Sequence, residues 1–255
     1  SLKNEEISPP QKIDAQSMEQ LIKFGGFPEP FLKANQRFSN KWQQLRHQQL
    51  FREDIRDLSK VQELQQLEIL AELITQQATK QLNYSKLGQR LQIAATTVKR
   101  WVEILEEFYF CFGIRPWHKN VARSLVKEPK VYLWDWSNIN DEGAKFENMV
   151  ACHLLKAVHF WKDCGFGDYK LHYLRDLDKR EVDFLISKDN QPWILVEVKA
   201  SSKQSLNPNL KYFQQQLKAP HAIQVAFDLE YLDIDCFALN RPMIVPARTF
   251  LSQLV

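Results

Sequence analysis

Residues 181–199, EVDFLISKDNQPWILVEVK, decide the fold of the second half of this chain. They contain two apolar stretches of strand length, Glu181–Ser187 and Trp193–Lys199, which predict two adjacent strands of one sheet. Charged side chains stand at the ends of these stretches. A charge at the end of a buried strand is costly unless it is paired or bound to a metal, so the same residues indicate a functional site.

Three charged side chains of this segment are expected to meet. Side chains at positions i and i+2 of a strand point the same way, so Glu197 and Lys199 project from one face, whereas Val196 and Val198 project from the other. Asp183 lies at a comparable level on the preceding strand. We therefore predict that the side chains of Asp183, Glu197 and Lys199 lie close together.

A fourth charged side chain, Glu147, is expected to join them from a helix. Residues 144–162 form a strongly amphipathic pattern, and steps of three and four from Glu147 reach Val150 and Leu154. Glu147 therefore stands at the start of the stripe that faces the core. A carboxylate in this position points toward the sheet.

Carboxylates grouped with a lysine support metal-assisted hydrolysis of a phosphodiester. Mg²⁺ takes one or two carboxylates and keeps water and substrate phosphate as its other ligands. A bound metal polarises the phosphoryl oxygen and lowers the pKa of its water, while a lysine orients that water or neutralises charge in the transition state. The predicted catalytic residues are Glu147, Asp183, Glu197 and Lys199; the first three are the predicted ligands of Mg²⁺ or Mn²⁺, and Glu181, on the same face as Asp183, is a substitute ligand. The structural alternative is that Glu-x-Lys forms an ordinary ion pair.

The remaining sequence predicts an α/β domain preceded by a helical part, which makes the fold α+β overall. After residue 199 we expect a helix near 210–217 capped by Asn207, strands at 223–227 and 234–238, and a short final helix. Before residue 138 the pattern is helical, with one helix capped by Ser39. The predicted domains are a helical segment at 1–60, a winged helix-turn-helix at 61–137 and an α/β domain with a central mixed sheet at 138–255.

The winged helix-turn-helix prediction rests on a short helix at 83–93, a tight turn, a second helix to about residue 110 and two strands. Nine Lys or Arg and four Glu lie between residues 83 and 130, a net charge of +5, so the rest of the +3 chain sums to −2. Positive charge concentrated on such a motif is typical of contact with DNA phosphates, and the start of the second helix is the part that enters a major groove. The alternative is a protein–protein module with a solvated basic face. The predicted DNA contacts are Lys86, Thr96, Thr97, Lys99 and Arg100, with Lys119, Arg123 and Lys127 on the wing.

Composition excludes several classes of protein. Only seven glycines are present, and neither G-x-x-x-x-G-K-[ST] nor G-x-G-x-x-G occurs, so this chain has no phosphate-binding loop of either kind and no ATPase site of its own. No apolar run reaches the roughly 18 residues of a membrane span, and no signal peptide is visible. The four cysteines have no paired spacing, which favours reduced thiols in a cytoplasmic protein.

The set Glu147, Asp183, Glu197 and Lys199 resembles the signature of PD-(D/E)XK nucleases. That superfamily has a helix, a central mixed sheet and a second helix as its core, and Val182 stands where its name-giving motif often has Pro. The resemblance implies a metal-dependent deoxyribonuclease.

A second resemblance covers nearly the whole chain. The chain is similar to the uncharacterised region that follows the ATPase core in a prokaryotic family of AAA+ ATP-binding proteins. This likeness implies an N-terminal P-loop ATPase core absent from this chain, a winged-helix middle and a nuclease-like end. Members of such families can lose catalysis and keep the fold, so a non-catalytic regulatory or binding region is the alternative. The matching segments are Gly25–Pro30, Phe51–Leu58, Pro129–Asp135, Phe146–Val150, Tyr173–Arg175, Glu181–Phe184 and Val196–Lys199.

Overall fold

Helices come first along the chain and strands later, as the sequence predicts. The computed structural model describes residues 6–58, 61–118, 128–203 and 205–254. The described residues fall into two units. We call the first the helical unit; it comprises Glu19–Gly113 and Glu128–Asn140. We call the second the sheet unit; it comprises the described residues of Ser1–Met18, Ile114–Lys127 and Asp141–Val255.

The first helices follow the local signals in the sequence, with one exception. Helix α1 ends at Phe24, before Gly25, and the next helix, α2, begins with Pro28 at its first position, where a missing N–H costs nothing. Ser39 was predicted to cap the following helix, and this is wrong. Asn35 is the cap instead, because its side chain accepts a hydrogen bond from the Phe38 N–H at 3.0 Å. The elements here are α1 (Ala15–Phe24), α2 (Pro28–Lys33), α3 (Gln36–Gln49), a π-helical turn (Leu50–Asp54), α4 (Ile55–Leu58) and α5 (Leu64–Gln76).

Two helices joined by residues 92–94 form the later part of the helical unit. Asn83 caps the first of them by accepting from the Lys86 N–H at 2.8 Å. A side chain at Gly88 would meet the Ile93 carbonyl oxygen at 2.6 Å, so the close approach of the turn requires glycine. Trp101 is fully buried in the core of this unit. The elements are α6 (Tyr84–Leu91), α7 (Ala95–Glu107) and the paired strands β1 (Cys111–Ile114) and β2 (Lys130–Leu133), followed by a 3₁₀ turn (Trp136–Asn138).

The sheet unit is built on a mixed sheet, which among the described residues has five strands in the order β3-β4-β5-β6-β7. The first three strands pair in antiparallel fashion, and β5, β6 and β7 run parallel to one another. A helix therefore precedes three antiparallel strands, and a second helix crosses over to the parallel strand β6. The elements are α8 (Glu142–Asp163), β3 (Tyr169–Arg175), β4 (Glu181–Lys188), β5 (Gln191–Lys199), α9 (Pro208–Leu217), β6 (His221–Ala226), β7 (Met243–Pro246) and α10 (Ala247–Leu251).

The two long helices of the sheet unit pack on the strands as the hydrophobic pattern predicts. Along α8, the stripe that begins at Glu147 is buried at Val150, Leu154, Val158 and Trp161. Helix α9 contributes its own apolar residues to a second cluster. That cluster consists of Leu174, Val182, Leu185, Leu195, Leu210, Phe213, Ala219 and Ala222. Both helices are thereby fixed against the strands that carry the acidic residues.

A strand predicted at 234–238 is absent, and this prediction is wrong. The last strand of the sheet is β7, which pairs with β6. The backbone near Cys236 is bound by buried side chains instead: the Gln253 side chain accepts from the Cys236 N–H at 3.2 Å and donates to the Ile234 carbonyl at 3.1 Å. Thr249 likewise accepts from the Leu232 N–H at 2.9 Å. These bonds satisfy backbone groups that a strand would have paired with a neighbour.

The predicted fold class is confirmed: a helical N-terminal part is followed by a mixed sheet with helices, and the protein is α+β overall. The break between the two units at Asn140 and Asp141 lies close to the predicted boundary near residue 138. Within the described ranges, no helix is long and apolar enough to cross a membrane.

Candidate functional site

The pairing of β4 with β5 brings two acidic residues together. The strands are antiparallel, with Phe184 opposite Val196. Asp183 and Glu197 are the next residues of this register, and each accepts a hydrogen bond from the other strand. The Asp183 Oδ2 accepts from the Val198 N–H at 2.9 Å, and the Glu197 Oε2 accepts from the Asp183 N–H at 3.4 Å.

Glu197 is the most buried of the four predicted catalytic residues, with 4% of its side chain exposed. A buried carboxylate needs partners, and Glu197 has them. Its Oε1 lies 2.7 Å from the Lys199 Nζ and accepts from the Asn207 Nδ2 at 2.7 Å. With the Asp183 N–H, these contacts occupy three of about four lone-pair positions that a carboxylate offers.

The charge of Lys199 is stabilised by acidic residues from two strands and a helix. Burial alone lowers the pKa of Lys199, whereas the hydrogen bond and the charge of Glu197 raise it. Asp183 and Glu147 raise the pKa further through their charges, and the net pKa is above the ordinary lysine value. Lys199 is therefore a cation, with 28% of its side chain exposed.

The four predicted residues are thus electrostatically connected, although Glu147 is the most weakly coupled. Its charge acts on Lys199 after those of Glu197 and Asp183, and its side chain is half-buried near the start of α8. Glu181, the predicted substitute ligand, forms an ion pair with Arg175 at 3.0 Å.

Among the described residues, no group of three or more His, Cys, Asp or Glu is arranged to hold a metal ion. Asp183 and Glu197 are neighbours on the adjacent strands β4 and β5, and the Asp183 N–H donates to the Glu197 carboxylate. Mg²⁺ needs only one or two protein carboxylates because waters and substrate complete its octahedron. The Asp183–Glu197 pair fits this requirement.

Two polar residues next to Glu197 were not predicted to belong to the site. Asn207 was predicted only as the cap of α9, a role it fills by accepting from the Asn209 N–H at 2.9 Å. Gln224 is fully buried on β6, directly opposite Glu197 in the parallel pairing. Its Oε1 accepts from the Asn207 N–H at 2.8 Å. A glutamine flanked by Ile223 and Val225 in a buried strand is the sequence signal that could have found it.

The predicted DNA-contact residues lie on α6 and α7. Lys86, Thr96, Lys99 and Arg100 are exposed, and Thr97 is half-buried. Lys99 is 3.9 Å from Glu103, one turn further along α7, and both side chains are more than half exposed. Three predicted wing residues, Lys119, Arg123 and Lys127, lie outside the described residues.

Comparison with known proteins gives two family matches, one on each side of the break at Asn140 and Asp141. Residues 15–140 match the family described as Domain of unknown function (DUF8612), and residues 142–242 match Domain of unknown function (DUF4143). Neither a curated protein nor a solved structure matches the chain. Residues 142–242 are therefore similar to a domain found in C-terminal regions associated with AAA ATPases.

Proposed function

We propose that the sheet unit is a metal-dependent nuclease or nuclease-like domain that hydrolyses phosphodiesters of DNA. One observation carries the proposal: the Asp183 N–H donates to the Glu197 carboxylate, the Val198 N–H donates to the Asp183 carboxylate, and Lys199 contacts Glu197 at 2.7 Å. The order of helix, three strands, helix and strand agrees with the core that the PD-(D/E)XK resemblance implies. Glu147, on α8, also acts on Lys199 through its charge, which supports its place in the proposed site.

Each residue has a distinct role in this proposal. Asp183 and Glu197 would hold Mg²⁺ or Mn²⁺, with Glu147 as the third acidic group. The ion, when bound, supplies Lewis-acid polarisation of the phosphoryl oxygen and an acidified water. Lys199 holds its proton, orients the attacking water and offsets negative charge that develops on the phosphate.

We further propose that the helical unit brings the protein to DNA through a helix-turn-helix made of α6 and α7. The exposed side chains of Lys86, Lys99 and Arg100 are suited to bind DNA phosphates. Thr96 and Thr97 lie at the start of α7, the part of the helix that would enter the major groove of DNA. Phosphate contacts position a protein without reading the sequence, so we expect weak sequence preference.

We propose that the partner of this chain is an N-terminal P-loop ATPase core. That core is absent from this chain and would hydrolyse ATP. The chain itself has no phosphate-binding loop, whereas its second domain is of the kind found C-terminal to AAA ATPases. All four cysteines, each of them in the described part of the chain, are free thiols. Free thiols favour a reducing compartment, and we propose a cytoplasmic location.

The test of the nuclease proposal is cleavage of plasmid and branched DNA by purified protein with Mg²⁺ or Mn²⁺. We expect nicking by the wild type and none by Asp183→Ala or Lys199→Ala, each with an unchanged circular dichroism spectrum. Cleavage that persists in both variants would come from a contaminant and would remove the proposal.

A second candidate is a non-catalytic regulatory or binding region of an AAA+ ATPase. The observation that favours it is that protein groups already bind the Glu197 carboxylate, which accepts from Lys199, Asn207 and the Asp183 N–H. In that case the protein binds DNA but neither cleaves it nor binds Mg²⁺ at Asp183.

A further inference from the structure

We propose that Asn207 is a positioning residue of the nuclease-like site, which orients the Glu197 carboxylate, and that Gln224 holds Asn207 in place. This inference rests on the proposed function and assigns a role to two residues outside the predicted set. Asn207 precedes α9, and Gln224 lies on β6. The two residues link three elements of the sheet unit at one carboxylate.

Both polar side-chain atoms of Asn207 and its backbone N–H form hydrogen bonds. The side-chain Nδ2 donates to the Glu197 Oε1 at 2.7 Å, and the side-chain Oδ1 accepts from the Asn209 N–H at 2.9 Å. The backbone N–H donates to the Gln224 Oε1 at 2.8 Å. A single asparagine therefore starts α9 and holds the carboxylate at the same time.

The bond from Asn207 constrains Glu197 in a way that Lys199 alone does not. Both donors bind the same oxygen, Oε1, at 2.7 Å. The other oxygen, Oε2, has only the longer bond of 3.4 Å from the Asp183 N–H. Fixing Oε1 from two sides leaves Oε2 as the oxygen with room for a further ligand, next to Asp183. Groups that orient a metal ligand are worth about 10- to 100-fold in metal affinity or activity.

Gln224 is placed to make this arrangement rigid. Its side chain is fully buried, and its Nε2 donates to the Ser205 carbonyl at 3.5 Å while its Oε1 accepts from Asn207. Asn209 adds another connection, because its Nδ2 donates to the Glu181 carbonyl at 3.3 Å on β4. The start of α9 and the residues just before it are therefore bound to the strands on both sides of Glu197.

Two substitutions separate positioning from helix capping. Ser and Asp both cap helices about as well as Asn, but Ser is too short to reach Glu197, and Asp cannot donate to it and adds a second negative charge. If Asn207 only caps α9, Asn207→Ser and Asn207→Asp should both behave like the wild type. If it positions Glu197, both should lose function, and Asn207→Asp should lose more.

The experiment measures DNA cleavage and, separately, Mn²⁺ binding by calorimetry. We expect Asn207→Ser to lower kcat and weaken Mn²⁺ binding about 10-fold or more, with KM for DNA within twofold and the helical circular dichroism signal unchanged. Asn35→Ser is the matched control, since Asn35 also caps its helix, α3, through its side-chain oxygen and is not a predicted site residue.

The outcomes separate this inference from the proposed function. Wild-type kcat and Mn²⁺ affinity in Asn207→Ser, with an active wild type, would overturn the positioning role alone. A wild type that neither cleaves DNA nor binds Mn²⁺ would overturn the proposed function, and the positioning role with it.

Discussion

The two regions that carry the predicted function are built in opposite ways. In the sheet unit, Glu197 is almost fully buried and its oxygens accept from two side chains and a backbone N–H. On the helical unit, the basic residues of α6 and α7 are exposed, and Lys99 has one ion-pair contact at 3.9 Å. The first region has fixed geometry, whereas the second offers charge without fixed geometry.

The difference follows from the function that we propose for each region. Catalysis needs groups held in advance at positions defined to a fraction of an ångström. Attraction to a phosphate backbone needs only positive charge near the surface, where salt screens it and side chains move. Substitutions should therefore have large effects in the site of the sheet unit and small, salt-dependent effects on the face of the helical unit.

The largest expected difference is between two lysines. Lys199→Met should lower the rate of DNA cleavage about 10³-fold and leave DNA affinity unchanged, because it removes a charge that acts on the transition state. Lys99→Met should weaken DNA binding severalfold and leave cleavage at saturating DNA intact. Single-turnover cleavage and fluorescence anisotropy measure the two properties. Equal effects of the two substitutions on both properties would remove the distinction between the regions.

The next largest expected effect is the loss of stability at low pH, which should arise from buried histidines of the sheet unit. Burial lowers the pKa of His172 to about 4, helped by the charge of Lys170, and burial lowers the pKa of His153 to about 4 as well. A lowered histidine pKa means that the unfolded chain binds more protons between about pH 6.5 and 4. The contribution of each histidine to the free energy of unfolding is therefore fully present above pH 6.5. It is lost as the pH falls, by up to about 3 kcal/mol for each histidine.

Urea denaturation from pH 7 to pH 4.5 checks this expectation. His172→Gln should flatten the pH dependence, whereas His159→Gln, at an exposed position of α8, should not. An unchanged slope in His172→Gln would contradict the assignment to His172.

A smaller difference is expected between the free energies that two ion pairs contribute to folding, the buried Glu197–Lys199 pair and the exposed Lys99–Glu103 pair. Glu197→Ala should lower the free energy of unfolding by about 2 kcal/mol, because Lys199 and Asn207 lose their common acceptor. Glu103→Ala removes the partner of Lys99 and should cost less than about 0.5 kcal/mol. Chemical denaturation at neutral pH measures both. A cost for Glu103→Ala as large as that for Glu197→Ala would show that burial does not set the strength of these pairs.

The smallest effect is on the salt dependence of DNA binding. Removing Lys99 or Arg100 should lower the magnitude of the slope of log affinity against log salt by about 1 for each lost phosphate contact. Anisotropy titrations between 50 and 200 mM salt give the slope, and Glu197→Gln serves as the control. A slope unaffected by either substitution would exclude this face from DNA contact.

Periodicity predicted the parts of the site that lie within single elements. Alternation along β5 placed Glu197 and Lys199 on one side, and the spacing of apolar residues placed Glu147 on the inner stripe of α8. The pairing of Asp183 with Glu197 also followed, because β4 and β5 are consecutive and antiparallel. Local signals are sufficient where neighbouring elements pair directly.

Contacts between distant elements could not be predicted in the same way. Gln224 lies opposite Glu197 only because β6 pairs in parallel with β5 after the α9 crossover, a register that no local pattern sets. Asn35 and Ser39 are both good caps, and the choice between them depends on the packing that buries Ser39. The absent strand at 234–238 is explained by side chains of Thr249 and Gln253, which lie later in the chain.

Calorimetric titration with Mn²⁺ or Mg²⁺, on the wild type and on Asp183→Ala, tests the central claim most directly. If the acidic pair between β4 and β5 is a metal site, the wild type binds the ion and Asp183→Ala does not, while both keep the same circular dichroism spectrum. Identical isotherms for the two proteins would contradict the account and leave the sheet unit as a scaffold.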